Sequence, residues 1–428
     1  MPNNDEVIIC TLGTRGDIAP FLSLIPRLVS QGTKVWALSN DNWRGDFESA
    51  GAVFEPIAKE DDPQDGRDNY SFFKRNVFPS FARSFSFVAE RVAANREVRI
   101  IYRSNMLGAE CAADQFRLRA LRVTLQPSSI RSYDRPPWPL SGASAGPFGW
   151  LGRYFILPAL YLMVQLFSRY RRRANAFRKS VGCAAERLSW RSREPGRLTA
   201  LLCPEWFAMP QADWPRDIVP VGFVFGGATP LDPDLGQFLS SRDRPLVFTP
   251  GTGIADPAAF FAKARSVCGL LGVPGIFLSK AVPETYRSDP EIACRDFVDL
   301  SSLLPRCAAL VHHGGIGSTA QAIRAGIPQM VIPRGFDQPD NALRVAQLGL
   351  GGAVLGQHFS AAEWARLLRK TLESGHVQSQ LRIAKALTER DDPIGSCLDM
   401  LIGLQESACC PTTATGPDVS QIRTYEAA

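Results

Sequence analysis

The stretch that most constrains this chain lies between Ala308 and Asn341. An apolar run, Ala308 to Val311, ends in His312-His313. It then meets the turn Gly314-Gly315-Ile316-Gly317 and passes into a helical segment opening near Ser318. A strand, a glycine turn and a helix N-terminus in that order leave bare N–H groups and the positive end of the dipole facing one point. That arrangement suits a phosphate. His313 adds a ring donor, and Ser318 and Thr319 add hydroxyls beside the close-approaching backbone of Gly314, Gly315 and Gly317. A second strand, Gln329 to Ile332, delivers Asp337 and Gln338 to a loop at the same sheet edge, with Asn341 following. A carboxylate beside an amide suits recognition of adjacent hydroxyls, as on a sugar.

The first half repeats the same logic. Glu6 to Leu12 reads as a strand, Gly13-Thr14-Arg15-Gly16-Asp17 as a turn, Ala19 to Ser30 as a helix and Lys34 to Leu38 as the second strand. This opens a doubly wound parallel sheet. It carries neither GxGxxG nor GxxxxGK[ST], which argues against a dinucleotide turn and excludes a P-loop. Asp17 sits on the carboxyl side of the first strand, where such sheets place ligands; its other reading is a helix cap. Further strands are expected at Val98–Ile101 and Leu121–Leu125.

Residues 59–76 read as a polar loop over an acceptor cleft, and 131–149 as an extended loop. Aromatics from Phe72 to Phe87, Phe78 and Phe81 among them, form a helical stripe that suits either a core face or the wall of an acceptor pocket. Trp150 to Phe167, with Tyr154 inside it, is apolar but interrupted by Pro158, and Arg169, Arg171, Arg172 and Arg173 follow. It is short of the ~20 residues a spanning helix needs. The favoured expectation is a buried helix of the acceptor pocket; the alternative is an interfacial helix in transient contact with the inner membrane.

At 428 residues the chain accommodates two α/β domains. A hydrophobic fraction of 45% and a net charge of +6 describe a globular protein with no nucleic-acid signature. The 10 cysteines form no CxxC pair and no signal peptide opens the chain, so reduced thiols in a cytoplasmic protein are expected. Asp232-Pro233-Asp234 lies between prolines in a candidate linker and reads as a turn; no metal cluster is expected.

The order HHGGxGST…GxPQ…DQxxNA resembles the donor-site signature of family-1 nucleotide-sugar glycosyltransferases with the GT-B architecture. The similarity extends from about residue 7 to about residue 400. Among that family it is nearest to antibiotic glycosyltransferases, sterol glucosyltransferases and the catalytic subunit of rhamnolipid rhamnosyltransferase. The resemblance implies two doubly wound Rossmann-like domains facing each other across a cleft. Residues 1–225 would bind the acceptor, 226–245 would link, and 246–377 would bind the nucleotide sugar. A helix at 378–405 would cross back, and 406–428 would form a disordered tail. Thr252, in the turn after the strand at 246–249, would share the diphosphate. Phe297 and Val298 lie where relatives hold the nucleobase. The segment Gly13-Thr-Arg-Gly-Asp-Ile-Ala-Pro20 resembles one whose aspartate acts as general base in sterol and antibiotic enzymes. The four histidines are His312, His313, His358 and His376, so none lies in the first half and Asp17 is the candidate base there.

The expected reaction is therefore inverting, metal-independent transfer of a hexose from a UDP- or dTDP-sugar, with no further cofactor. The acceptor would be a hydroxyl of a hydrophobic lipid, terpenoid, sterol or polyketide. Rival readings are a sugar-nucleotide epimerase, a non-catalytic nucleotide-sugar-binding partner and a dinucleotide oxidoreductase.

Overall fold

The computed structural model describes residues 5–58, 77–95, 97–134, 136, 151–186, 197–251, 257–355 and 359–403. The loop read at 59–76, the tail at 406–428, Trp150 and Thr252 lie outside them. The chain divides into two compact units, one made of residues 1–226 with 392–428 and the other of 227–391.

The first unit is built on seven strands: β1 (Glu6–Cys10), β2 (Lys34–Asn40), β3 (Val53–Ala58), β4 (Arg99–Arg103), β5 (Ala120–Thr124), β6 (Thr199–Leu201) and β7 (Ile218–Pro220). They run parallel in the order β3-β2-β1-β4-β5-β6-β7, so the winding reverses between β1 and β4. Strand alternation sorts the core between the two faces. Ile8 and Cys10 join one cluster with Phe81, Phe85 and Phe177; Val7 and Ile9 join the other with Phe21, Leu28 and Leu398. The two helices over the second face, Arg15–Leu22 and Ile25–Ser30, replace the single one expected from Ala19 to Ser30. Pro26 starts the second of them, where its missing N–H costs nothing.

The second unit holds β8 (Leu246–Thr249), β9 (Gly275–Leu278), β10 (Ile292–Arg295), β11 (Ala309–His312), β12 (Gln329–Val331) and β13 (Gly351–Ala353). All are parallel, in the order β10-β9-β8-β11-β12-β13, reversing between β8 and β11. Inside the expected linker a helix forms, Pro233–Ser240, with Leu235 and Leu239 in the second unit's core. Asp232 caps it by accepting from the Leu235 N–H at 2.9 Å, and also pairs with Arg295. Where a helix is expected at 378–405 there are two, Gly375–Thr388 and Pro393–Gly403, separated by residues 389–392. The second of them belongs to the first unit, where Cys397, Leu398 and Leu401 are buried.

The segment 151–167 departs most from expectation. A π-helical turn, Gly152–Ile156, leads into the helix Leu157–Phe167. Pro158 follows in the first turn of that helix, where it has no N–H to give the carbonyl four residues back. Among its residues whose side chains are described, only Gly152 and Leu157 are buried; Phe155, Ile156, Met163, Val164, Leu166 and Phe167 are exposed. The expected buried wall is therefore not formed. Apolar periodicity reports what a segment would bury, not what covers it. Among the described residues no helix is long and apolar enough to cross a membrane.

Candidate functional site

In open α/β sheets, ligands bind beyond the carboxyl ends of the strands where the winding reverses. Each unit carries a polar constellation at that place. In the first unit it is Asp17, in the helix that follows β1, and Arg103, the last residue of β4. Arg103 Nη2 lies 2.7 Å from Asp17 Oδ1. Asp17 Oδ2 accepts the Thr14 backbone N–H at 2.9 Å and the Thr14 hydroxyl at 3.2 Å. A second Arg103 nitrogen donates to the Leu12 carbonyl at 2.5 Å, which ties the turn to β4. Asp17 is thus not the N-cap but the third helical residue, reaching back to the Thr14 N-cap, and its carboxylate is held in a defined orientation at the reversal point, partly open to solvent. The sequence reading missed Arg103; a charged residue ending the strand beside the reversal point was the available signal.

In the second unit the constellation is the glycine turn after β11. His312 is fully buried and structural: the Gly314 N–H donates to its Nδ1 at 3.1 Å, so Nε2 carries the proton and donates to Gln329 Oε1 at 2.9 Å. Burial pushes it down to about 3, with His313 adding to the effect. The His313 ring packs between the turn after β8 and its own. A Cβ on Gly251 (φ +79°) would come within 2.7 Å of Nδ1, and one on Gly315 within 2.7 Å of Nε2. Only glycine at both positions leaves room for the imidazole. Burial pushes His313 down to about 4, against a backbone hydrogen bond with Thr249 that raises it, so at neutral pH it is an uncharged imidazole.

The following helix, Ile316–Ala325, starts from Gly315. In its first turn Gly317 is exposed and Ser318 half-buried. Thr319 does not join them. Its side chain is buried and its hydroxyl and N–H both go to the Gly315 carbonyl, at 3.1 and 3.0 Å, so it serves the turn and not a ligand.

Asp337 and Gln338 open the helix Gln338–Gln347 beyond β12. Gln338 Oε1 accepts the N–H groups of Arg334 and Gly335 at 2.9 and 3.3 Å, shaping the loop. Buried Asn341 donates through Nδ2 to Asp337 Oδ2 at 2.8 Å and to the Gly314 carbonyl at 2.9 Å. The acidic loop and the glycine turn are therefore one hydrogen-bonded unit. Phe336, just before Asp337, has φ +56° and is 79% exposed, a strained conformation for a bulky residue. Phe297 is 58% exposed after β10, while Val298 packs against the core.

The acceptor residues fare differently. Phe78 and Phe81 are buried among Tyr170 and Phe177 and pack the first unit's core rather than a pocket wall. Tyr154 is 63% exposed on the π-helical turn.

Comparison with known proteins agrees with this layout. Residues 7–110 match the glycosyltransferase family 28 N-terminal domain, and residues 277–390 match the erythromycin biosynthesis protein CIII-like C-terminal domain. Glycosyltransferase GtfE of Amycolatopsis orientalis is 26% identical over 366 residues, 81% of this chain and 85% of that one. An uncharacterised protein of Mycobacterium bovis is 27% identical over 186 residues, 43% of this chain, and the match spans only 44% of its length. Two solved structures share the fold. The glycosyltransferase of kitacinnamycin has a TM-score of 0.70 at 15% identity, covering 92% of this chain and 98% of that one. The spinosyn rhamnosyltransferase complexed with thymidine diphosphate has a TM-score of 0.61 at 16% identity, covering 93% and 100%. Two parallel-sheet units, a matching family model in each, and a relative along most of its length give this chain the GT-B fold and support its resemblance to the family-1 glycosyltransferases.

Proposed function

We propose that this chain transfers a hexose from a UDP- or dTDP-sugar to a hydroxyl of a hydrophobic small-molecule acceptor, with inversion and without a metal ion. The observation that carries the reading is the second unit's hydrogen-bonded cluster, in which His313, the helix opening at Gly315 and the Asp337–Asn341–Gly314 relay meet at one reversal point. Charge that builds on the leaving diphosphate is met by the first-turn N–H groups, by Ser318 and by a neutral His313 donating a hydrogen bond. Asp337 and Gln338 take the sugar hydroxyls, and the backbone near Phe297 and Val298 takes the base. The thymidine diphosphate seen in the spinosyn enzyme supports a nucleotide of this class.

Asp17 accepts the acceptor's hydroxyl proton as its oxygen bonds to the anomeric carbon from the face opposite the diphosphate. The bond to the diphosphate breaks with its electron pair, and configuration inverts. Each carboxylate oxygen offers two lone-pair directions, so the Arg103 and Thr14 contacts orient Asp17 without using all of its acceptor capacity. The test is release of UDP or dTDP from a panel of nucleotide sugars. Release that requires an added alcohol acceptor is expected; nucleotide binding without release would make the chain a binding partner and sink the proposal.

A further inference from the structure

We infer that the segment 151–167 lies on the surface of an anionic lipid bilayer and docks the first unit there. The inference stands apart from the transfer reaction. The helix Leu157–Phe167 is apolar around most of its circumference, with Gln165 and the Tyr161 hydroxyl its polar groups, and such a helix needs an apolar surrounding. Among the described residues that surrounding is incomplete: Ile156 is 53% exposed and Phe167 76% exposed, with Met163, Val164 and Leu166 exposed between them. Phe155, Ala159, Met163 and Leu166 recur at spacings of four and three, which gathers them in one stripe. At 1.5 Å per residue the segment is about 25 Å long, too short and too interrupted to cross a bilayer.

The adjoining helix decides what covers it. Ser168 caps Arg169–Ser180, accepting from the Arg171 N–H at 3.1 Å. Three of its basic residues turn inward. Arg171 donates to the Glu186 carbonyl, Arg173 lies over the Phe78 ring and Arg178 pairs with Glu110 at 2.5 Å. Arg169, Arg172 and Lys179 stay exposed and, at spacings of three and seven, share one face. An apolar segment joined to a cationic face is complementary to acyl chains beneath anionic headgroups. A soluble protein partner of matching acidity would not need the apolar character to run most of the way round the helix.

The test is flotation of the full chain with vesicles of phosphatidylcholine alone and with added phosphatidylglycerol, at low and high salt. Binding to the anionic vesicles that weakens with salt is expected. Replacing Arg169, Arg172 and Lys179 by Gln should lower that affinity about fivefold per charge, since a cation near such a surface contributes roughly 1 kcal/mol. The pair Leu166→Ser and Phe167→Ser should abolish flotation while leaving the melting temperature unchanged, because both side chains are already exposed. Failure to float on anionic vesicles at low salt would overturn the inference, and so would flotation indifferent to the serine pair. A dimer that the serine pair dissociates would overturn it too, by giving the face to a second copy.

Discussion

Asp17 and Arg103 come from distant parts of the sequence and meet because β1 and β4 are neighbours across the reversal of the first sheet. If Asp17 takes the acceptor's proton, Asp17→Asn keeps its size and its hydrogen bond from Thr14 but cannot accept a proton. Turnover should then fall by about 10²-fold or more with nucleotide-sugar affinity little changed. Single-turnover kinetics with separately measured donor binding checks this; near-wild-type turnover would leave Asp17 only a partner to the Thr14 cap. The donor side invites a finer comparison. Asn341 holds both Asp337 and the Gly314 carbonyl, so Asn341→Ala leaves a buried carbonyl unpaired in the phosphate turn. The loss, about 1–3 kcal/mol, should fall on bare UDP or dTDP and on the intact sugar nucleotide alike. Gln338→Ala removes hydrogen bonds within the acidic loop and should weaken the intact sugar nucleotide alone. Titration calorimetry with both ligands separates the two variants; equal effects from Gln338→Ala would place its amide against the phosphates.

At the scale of elements, the turn after β11 explains why two adjacent histidines do different work. His312 is locked into the sheet edge, whereas His313 is clamped between two glycines, and both are kept neutral by burial. Neutral burial has a pH consequence. Below the ordinary histidine value of about 6.5 the unfolded chain binds protons that the folded ring refuses, so stability is complete above that pH and declines as pH falls toward 4. For His313 the loss reaches the order of 3 kcal/mol by pH 4. Urea unfolding between pH 4 and 7 should show a shallower decline in His313→Gln than in the parent; identical slopes would mean the ring charges freely in the folded state. Much of this element was legible beforehand: the strand, the glycines and the helix follow from residue type and order. The strands expected at Val98–Ile101 and Leu121–Leu125 also form, as Arg99–Arg103 and Ala120–Thr124. Other features were illegible for physical reasons. Arg103 reaching Asp17 and Asn341 reaching Gly314 depend on strand order, which no local period encodes. Thr319 looked like a phosphate ligand because a hydroxyl's direction is set by the turn it ends up serving. The aromatic stripe carried two meanings, and burial of Phe81 and Phe85 chose the core.

At the scale of the molecule, the chain leaves its first unit near Gly226 and returns at Asp392, so the helix Pro393–Gly403 is the last element the first fold receives. It completes the core over the β1 and β5 face. Cys397, Leu398 and Leu401 join Ile9, Leu121 and Val123 there, and Arg27 pairs with Asp392 at 3.0 Å where the return begins. The ion pair is exposed and adds little; the apolar contacts are what hold the helix. Truncating a buried leucine removes its transfer energy and leaves a cavity, so Leu398→Ala should cost about 2–5 kcal/mol, while Arg27→Gln should cost less than about 1 kcal/mol. Hydrogen exchange should report the place of the damage, with faster exchange in β1 and β5 and in the helix Ile25–Ser30 for Leu398→Ala. Unchanged exchange there would mean that the returning helix rests on a fold complete without it.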